Sequence, residues 1–127
     1  MFGLFKMDKA NTPIIKQLPA ASATYKAGEV AVLSGGVVTK AAGTTKPAYL
    51  ITESGTKTTA DTVSVHPIYP DEEYITTLST AGSLTVGTLV TISADSAEVT
   101  TTTTSGVAKV IEANSSAKGS AVVVKFA

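Results

Sequence analysis

The chain has 127 residues, 43% of them apolar, and ten Lys with no Arg balance ten Asp and Glu. Zero net charge argues against a nucleic-acid groove, and the lack of Arg against a bidentate phosphate or carboxylate reader. With no Cys there is no disulfide or thiolate metal site, and no apolar run approaches the roughly 20 residues of a membrane-spanning helix.

The opening "MFGLFKMDKANTPIIKQLPA" does not read as a signal peptide, because Lys6 and Lys9 follow the apolar residues and Asp8 interrupts them. The expectation is a protein made in a cytoplasm and kept there or released by lysis. Residues 1–25 show no sustained period, and Pro13 and Pro19 break helices. Phe2, Leu4, Phe5, Ile14 and Ile15 are nevertheless too apolar for a plain tail. They predict an extended arm that packs on something, either a partner or its own domain.

From Tyr25 onwards, short runs rich in Val, Ile and Thr alternate with Gly and Ser turns, which suits pleated sheet. "GEVAVLSGGVVTK" predicts two strands joined at Gly35-Gly36, a pair that accepts the positive φ of a tight hairpin. "PAYLITES", "TVSVHPIY", "LTVGTLVTISAD", "SGVAKVIEAN" and "SAVVVKFA" follow as further strands. Only "YPDEEYITTLS" reads as helical. Pro70 suits a first turn, Asp71, Glu72 and Glu73 suit the helix dipole, and Tyr74, Ile75 and Leu78 share a face. Thr76 and Thr77 oppose this and keep an edge strand as the alternative.

The two halves are similar. A shift of 59 residues lays Gly28-Glu29-Val30 on Gly87-Thr88-Leu89 and Ile51-Thr52-Glu53 on Val110-Ile111-Glu112. It also lays Leu33-Ser34 on Ile92-Ser93 and Val63-Ser64-Val65 on Val122-Val123-Val124, while "GGVVTK" and "DSAEVTTT" match only after a gap of one or two residues. Self-similarity at one spacing marks repeated units. The expected organisation is an arm over 1–25 and a β domain over 26–127, divided into units of about 26–80 and 81–127. The threonine run Thr100–Thr104 then falls at a strand end, with its hydroxyls facing water.

Catalytic signals are sparse. His66 is the single histidine and no elbow presents a nucleophile to it, so it reads as an outward-facing strand residue. Adjacent Asp71, Glu72 and Glu73 diverge on a helix or a strand and do not form a cation loop. No GxGxxG or GK[ST] phosphate loop occurs. Tyr25, Tyr49, Tyr69 and Tyr74 could stack on sugars, but Trp is missing, and core or interface roles suit them better. The expectation is no catalytic, cofactor or metal residue.

The stretch "VVTKAAGTTKPAYLITESGTKTTADTVSVHPIYPDEEYITTL" resembles the head decoration proteins of tailed bacteriophages, lambda type. "PAYLITES" occupies the place of that family's apolar strand, "TADTVSVHPIY" the next strand and "DEEYITTL" the final helix. The resemblance covers about residues 10–80, and the internal duplication departs from the family's pattern. It implies a capsid cement protein on the outer surface of the virion, often a trimer, that clamps neighbouring major capsid proteins without nucleic acid, membrane or cofactor.

The expected fold is therefore all-β: a small β-barrel or sandwich of two related units, with at most one short helix and an extended N-terminal arm. The expected partner-binding residues are Phe2, Leu4, Phe5, Ile14 and Ile15. Another virion β-module, such as a head fibre base, a tail-tube part or an adhesion domain, is the alternative.

Overall fold

A computed structural model describes residues 1–6 and 14–126. Within them the chain is all-β, with twelve strands and no helix. The strands are β1 (Gly3–Lys6), β2 (Lys16–Pro19), β3 (Ala23–Tyr25), β4 (Val30–Ser34), β5 (Val37–Lys40) and β6 (Tyr49–Ile51). They continue with β7 (Gly55–Lys57), β8 (Thr62–Pro67), β9 (Glu73–Thr77), β10 (Leu89–Val90), β11 (Ala108–Ala113) and β12 (Ala121–Phe126). Two five-stranded sheets run β2-β8-β6-β4-β5 and β1-β9-β12-β11-β10, and a ribbon pairs β3 with β7.

The β4–β5 hairpin turns where expected. Gly35 and Gly36 hold φ of 59° and 81°, and Ser34 pairs with Val37. Two successive positive φ values match the right-handed strand twist, which an ordinary turn would splay.

Four strands of each sheet, β4, β6, β8 and β2 in the first and β10, β11, β12 and β9 in the second, correspond in order and pairing. In the first, Val30 pairs with Leu50, Tyr49 with Pro67 and Ile51 with Val65. In the second, 59 positions on, Leu89 pairs with Lys109, Ala108 with Phe126 and Val110 with Val124. Turn bonds follow suit: Gly28 N–H donates to Ile51 O and Gly87 N–H to Val110 O, both at 2.8 Å. The fourth strand of each set corresponds at 58 positions, Pro19 pairing with Thr62 and Thr77 with Ala121. Parallel bridges at Ala20–Val38 and Leu78–Val99 bring the far strands of each set back together. Continuous pairing closes neither sheet into a barrel.

The matched strands run over 16–67 and 74–126. Thus β2 belongs to the segment expected as an arm, and β9 to the stretch expected to end the first unit. Residues 7–13 and 127 lie outside the described residues.

Each set encloses its own core. In the first, Tyr25, Ala31, Val38, Ile51, Val63 and Val65 are buried together, while Leu78, Val90, Val99, Val110, Val122 and Val124 fill the second. The second core continues across to the first sheet, where Val30, Ala41 and Leu50 join Phe2, Tyr74, Ile92, Ala108 and Phe126. A two-way backbone bridge between Gly43 and Ile92, at 2.9 and 3.0 Å, stitches the sets at this contact.

Two local expectations are corrected. The segment "YPDEEYITTLS" is not helical: its core is β9, held between β1 and β12. Tyr74 and Thr76 are buried while Ile75 points outward, a period of two that β-branched Thr76 and Thr77 favour. The threonine run is no regular strand either. Thr91 N–H donates to Thr102 O and Thr100 N–H to Thr91 O, so the run bends around Thr91 before the turn at Thr104–Ser105.

Candidate docking surface

The apolar residues of the first fifteen positions part company in the structure. Phe2 is 3% exposed, and its ring meets Phe126 edge-on with centroids 5.4 Å apart. Its N–H donates to Gly28 O at 2.7 Å. A Cβ at Gly28 would lie 2.6 Å from Met1 Cβ, so the chain start passes over a glycine that also holds a φ of +96°. Leu4 is half-buried against the same core. Phe2 and Leu4 are thus part of this chain's own interior, because β1 adds to the free edge of β9.

Phe5, Ile14 and Ile15 remain outward, at 52%, 45% and 51% exposure. A bulge in β1 between Leu4 and Lys6 gives Phe5 its orientation, and a bulge on an edge strand also twists that edge away from further pairing. Phe5 borders a shallow hollow of about 230 Å³ with Ile75, Ala121, Val123, Glu112 and Asn114. That is smaller than the about 300–1,000 Å³ of ordinary small-molecule sites. Its apolar floor and polar rim suit a side chain from another surface better than an enclosed ligand.

The two N-terminal segments converge on one turn. Lys6 pairs with Glu73 at the end of β1. The Ile14 carbonyl accepts a 2.7 Å hydrogen bond from Nδ1 of His66, whose Nε2 lies 2.9 and 3.0 Å from the two oxygens of Glu72. Phe5 and the Ile14-Ile15 pair are therefore tied to the Pro70–Asp71 turn and the start of β9, which carry Glu72 and Glu73.

His66 is not the outward-facing strand residue expected from sequence; it is 1% exposed. Glu72, also buried, accepts from Tyr69 N–H at 2.9 Å and from the Tyr74 hydroxyl at 2.8 Å. Burial foremost, then the bond to Glu72 and its charge, pushes the Tyr74 phenol well above its ordinary value. These groups spend their hydrogen bonds on one another and on the backbone, which makes the cluster a structural tie.

Asp71, Glu72 and Glu73 diverge: Glu72 turns inward while its neighbours are half-exposed. Among the described residues, no group of three His, Asp or Glu side chains could hold a metal. Of the tyrosines, Tyr25 and Tyr74 are core residues, Tyr49 is half-buried and Tyr69 lies on the surface.

Sequence reasoning missed Ile75, which lines the hollow beside Phe5. The helical reading of its segment had put it on the same apolar face as Tyr74 and Leu78. The alternation Tyr74-Ile75-Thr76 was the available signal.

Covering three half-exposed side chains completely would contribute about half of the 1.5–3 kcal/mol for full burial of each, so about 2–5 kcal/mol in all. Micromolar binding needs about 8 kcal/mol after the cost of immobilisation. This surface suits an occupant met many times over, where linked weak contacts act together.

No protein-family profile matches the chain, and no curated protein or solved structure matches it either.

Proposed function

We propose that this protein is a structural virion component that binds the outer surface of a phage head and stabilises it by bridging neighbouring major capsid proteins. The observation that carries the proposal is the outward presentation of Phe5, Ile14 and Ile15, with Ile75 beside Phe5, on a β-body whose cores hold most of the other large apolar groups. The resemblance of residues 37–78 to capsid cement proteins supplies the partner.

The task is static. A rigid double-sheet body presents a fixed surface, and its few exposed apolar groups dock where capsid subunits meet. Since one copy offers only about 2–5 kcal/mol of apolar burial, the protein works as a homo-oligomer, with a trimer the form the resemblance implies. It acts without catalysis, cofactor, nucleic acid or membrane, and is made in the host cytoplasm before joining the virion.

Co-sedimentation with undecorated, expanded heads tests this. Wild-type protein should saturate the heads at a fixed copy number. A Phe5→Ser, Ile14→Ser, Ile15→Ser variant that keeps its fold should lose occupancy by more than about tenfold, in line with the apolar area withdrawn. Binding should vary little with salt, because the chain has no excess charge. Undiminished occupancy of the triple variant, or no binding by the wild type, overturns the proposal.

A further inference from the structure

We infer that His66 and Glu72 form a proton-held latch that fastens the chain at Ile14 to the body, and that the latch opens when the pair gives up one of its two protons. This does not depend on what the protein binds.

The hydrogen-bond chemistry fixes where the protons are. A carbonyl oxygen only accepts, so at 2.7 Å from Ile14 O the Nδ1 of His66 carries a hydrogen. Between Nε2 and the Glu72 oxygens, at 2.9 and 3.0 Å, one further proton has to lie, since a ring lone pair and a carboxylate would repel at that distance. Two further donors, Tyr69 N–H and the Tyr74 hydroxyl, point at Oε1 of Glu72, so the shared proton lies on Nε2 or on Oε2. The His66–Glu72 pair therefore holds two protons, one on Nδ1 facing the Ile14 carbonyl and one shared between Nε2 and the carboxyl, with both side chains only 2% exposed.

Among the described residues, Glu72 is the carboxylate hydrogen-bonded to the imidazole. The groups facing the pair are Asp71 and Glu72 on the turn, the Tyr74 phenol on β9, the Tyr69 ring 6.2 Å from the imidazole, and Leu50 opposite His66 on β6. Lys6 and Glu73 sit at the end of the β1–β9 pairing, and Lys16 lies on β2 opposite Val65. The ion pairs among the described residues are Lys40–Glu29, Lys57–Glu53 and this one, so no described lysine pairs with Glu72.

Loss of one proton has a definite direction. A neutral imidazole keeps a single N–H and must leave one acceptor facing a lone pair. The bond from Nε2 to the carboxylate is charge-assisted and stronger than the bond from Nδ1 to a neutral carbonyl. The ring therefore keeps Nε2–H, and the Ile14 carbonyl loses its donor. Ile14, Ile15 and the start of β2 are the parts set free, while the turn stays bound to His66.

Because His66 is the single histidine, the imidazole nitrogens give one unambiguous NMR signature in the full chain. The expected result is a doubly protonated ring at low pH that converts on raising pH to the Nε2–H tautomer. Over the same transition, hydrogen-exchange protection of residues 14–19 should fall about tenfold relative to β11 and β12, the loss of one such bond. The Glu72→Gln variant separates latch from scaffold. Its amide oxygen still accepts from Tyr69 and Tyr74, and its NH₂ donates to Nε2, so a neutral Nδ1–H ring holds Ile14 at every pH. Protection of 14–19 should then be flat through the transition. Should that variant fail to fold, the wild-type titration decides alone. A high-pH Nδ1–H tautomer, or protection of 14–19 that ignores the state of the ring, overturns the inference.

Discussion

Replacing Phe2 by Ala should destabilise the fold while replacing Phe5 by Ala should not, although the two lie three positions apart in one apolar run. Phe2 is almost wholly buried against Phe126, which in turn lies 5.4 Å from the Tyr74 ring. Truncating a buried Phe costs about 3–5 kcal/mol where the site cannot collapse. The edge-on ring pair accounts for about 0.5–1.5 kcal/mol of that. Near a chain end part of the strain can be relieved by letting β1 detach, which returns about 1–2 kcal/mol of backbone entropy per freed residue while its ladder bonds are lost. The net expectation is a loss of about 2–4 kcal/mol for Phe2→Ala. Phe5, half in solvent, should change stability by less than about 0.5 kcal/mol. Equilibrium urea unfolding with a common slope measures both, and hydrogen exchange should show new opening at Glu73–Ile75 in the Phe2 variant alone. Equal losses, or a Phe2 effect below about 1 kcal/mol, would refute the division of this segment into core and surface.

Tyr25→Phe should cost about 1–3 kcal/mol in the same assay, because the buried hydroxyl donates to Val38 O at 2.7 Å and accepts from Ala21 N–H at 2.9 Å. Gly106→Ala should lower the yield of folded protein severely, since a Cβ there would stand 2.3 Å from the Leu89 carbonyl carbon and backbone must move; normal thermal unfolding of this variant would contradict the close approach. The Asp95 carboxyl is held below its ordinary value of 3.8 by the Ser93 hydroxyl first and then the Ala97 N–H. A depressed carboxylate contributes stability that is present above the unfolded value and is lost as pH falls through the folded one. Asp95→Asn should therefore flatten the stability curve below about pH 4 and leave it unchanged in slope above that.

What could be read from the sequence was local or periodic. Gly35-Gly36 specifies its hairpin from two residues, and the 59-residue self-similarity corresponds to pairings that repeat at that spacing. What could not be read depends on partners far along the chain. His66 is satisfied by Ile14, 52 residues earlier, and by Glu72 across a turn, so nothing in "SVHPI" announces its burial. Phe2 enters the core only because β9 offers an open edge, and the helical signals of Pro70 to Glu73 concealed that strand. In "PDEEY" the acids that looked like a dipole cap instead supply Glu72 to a buried imidazole. Exposed side chains have no such internal partner, and nothing local separates Phe5, Ile14 and Ile15 from Phe2 and Leu4 in the sequence.

The most direct test images heads decorated with the purified protein, at a resolution that resolves side chains. The account predicts ordered copies on the outer shell, at joints between capsid subunits, with Phe5, Ile14 and Ile15 covered by capsid residues and Phe2 still beneath Phe126. Bare heads, or bound copies whose Phe5, Ile14 and Ile15 face solvent, would contradict it.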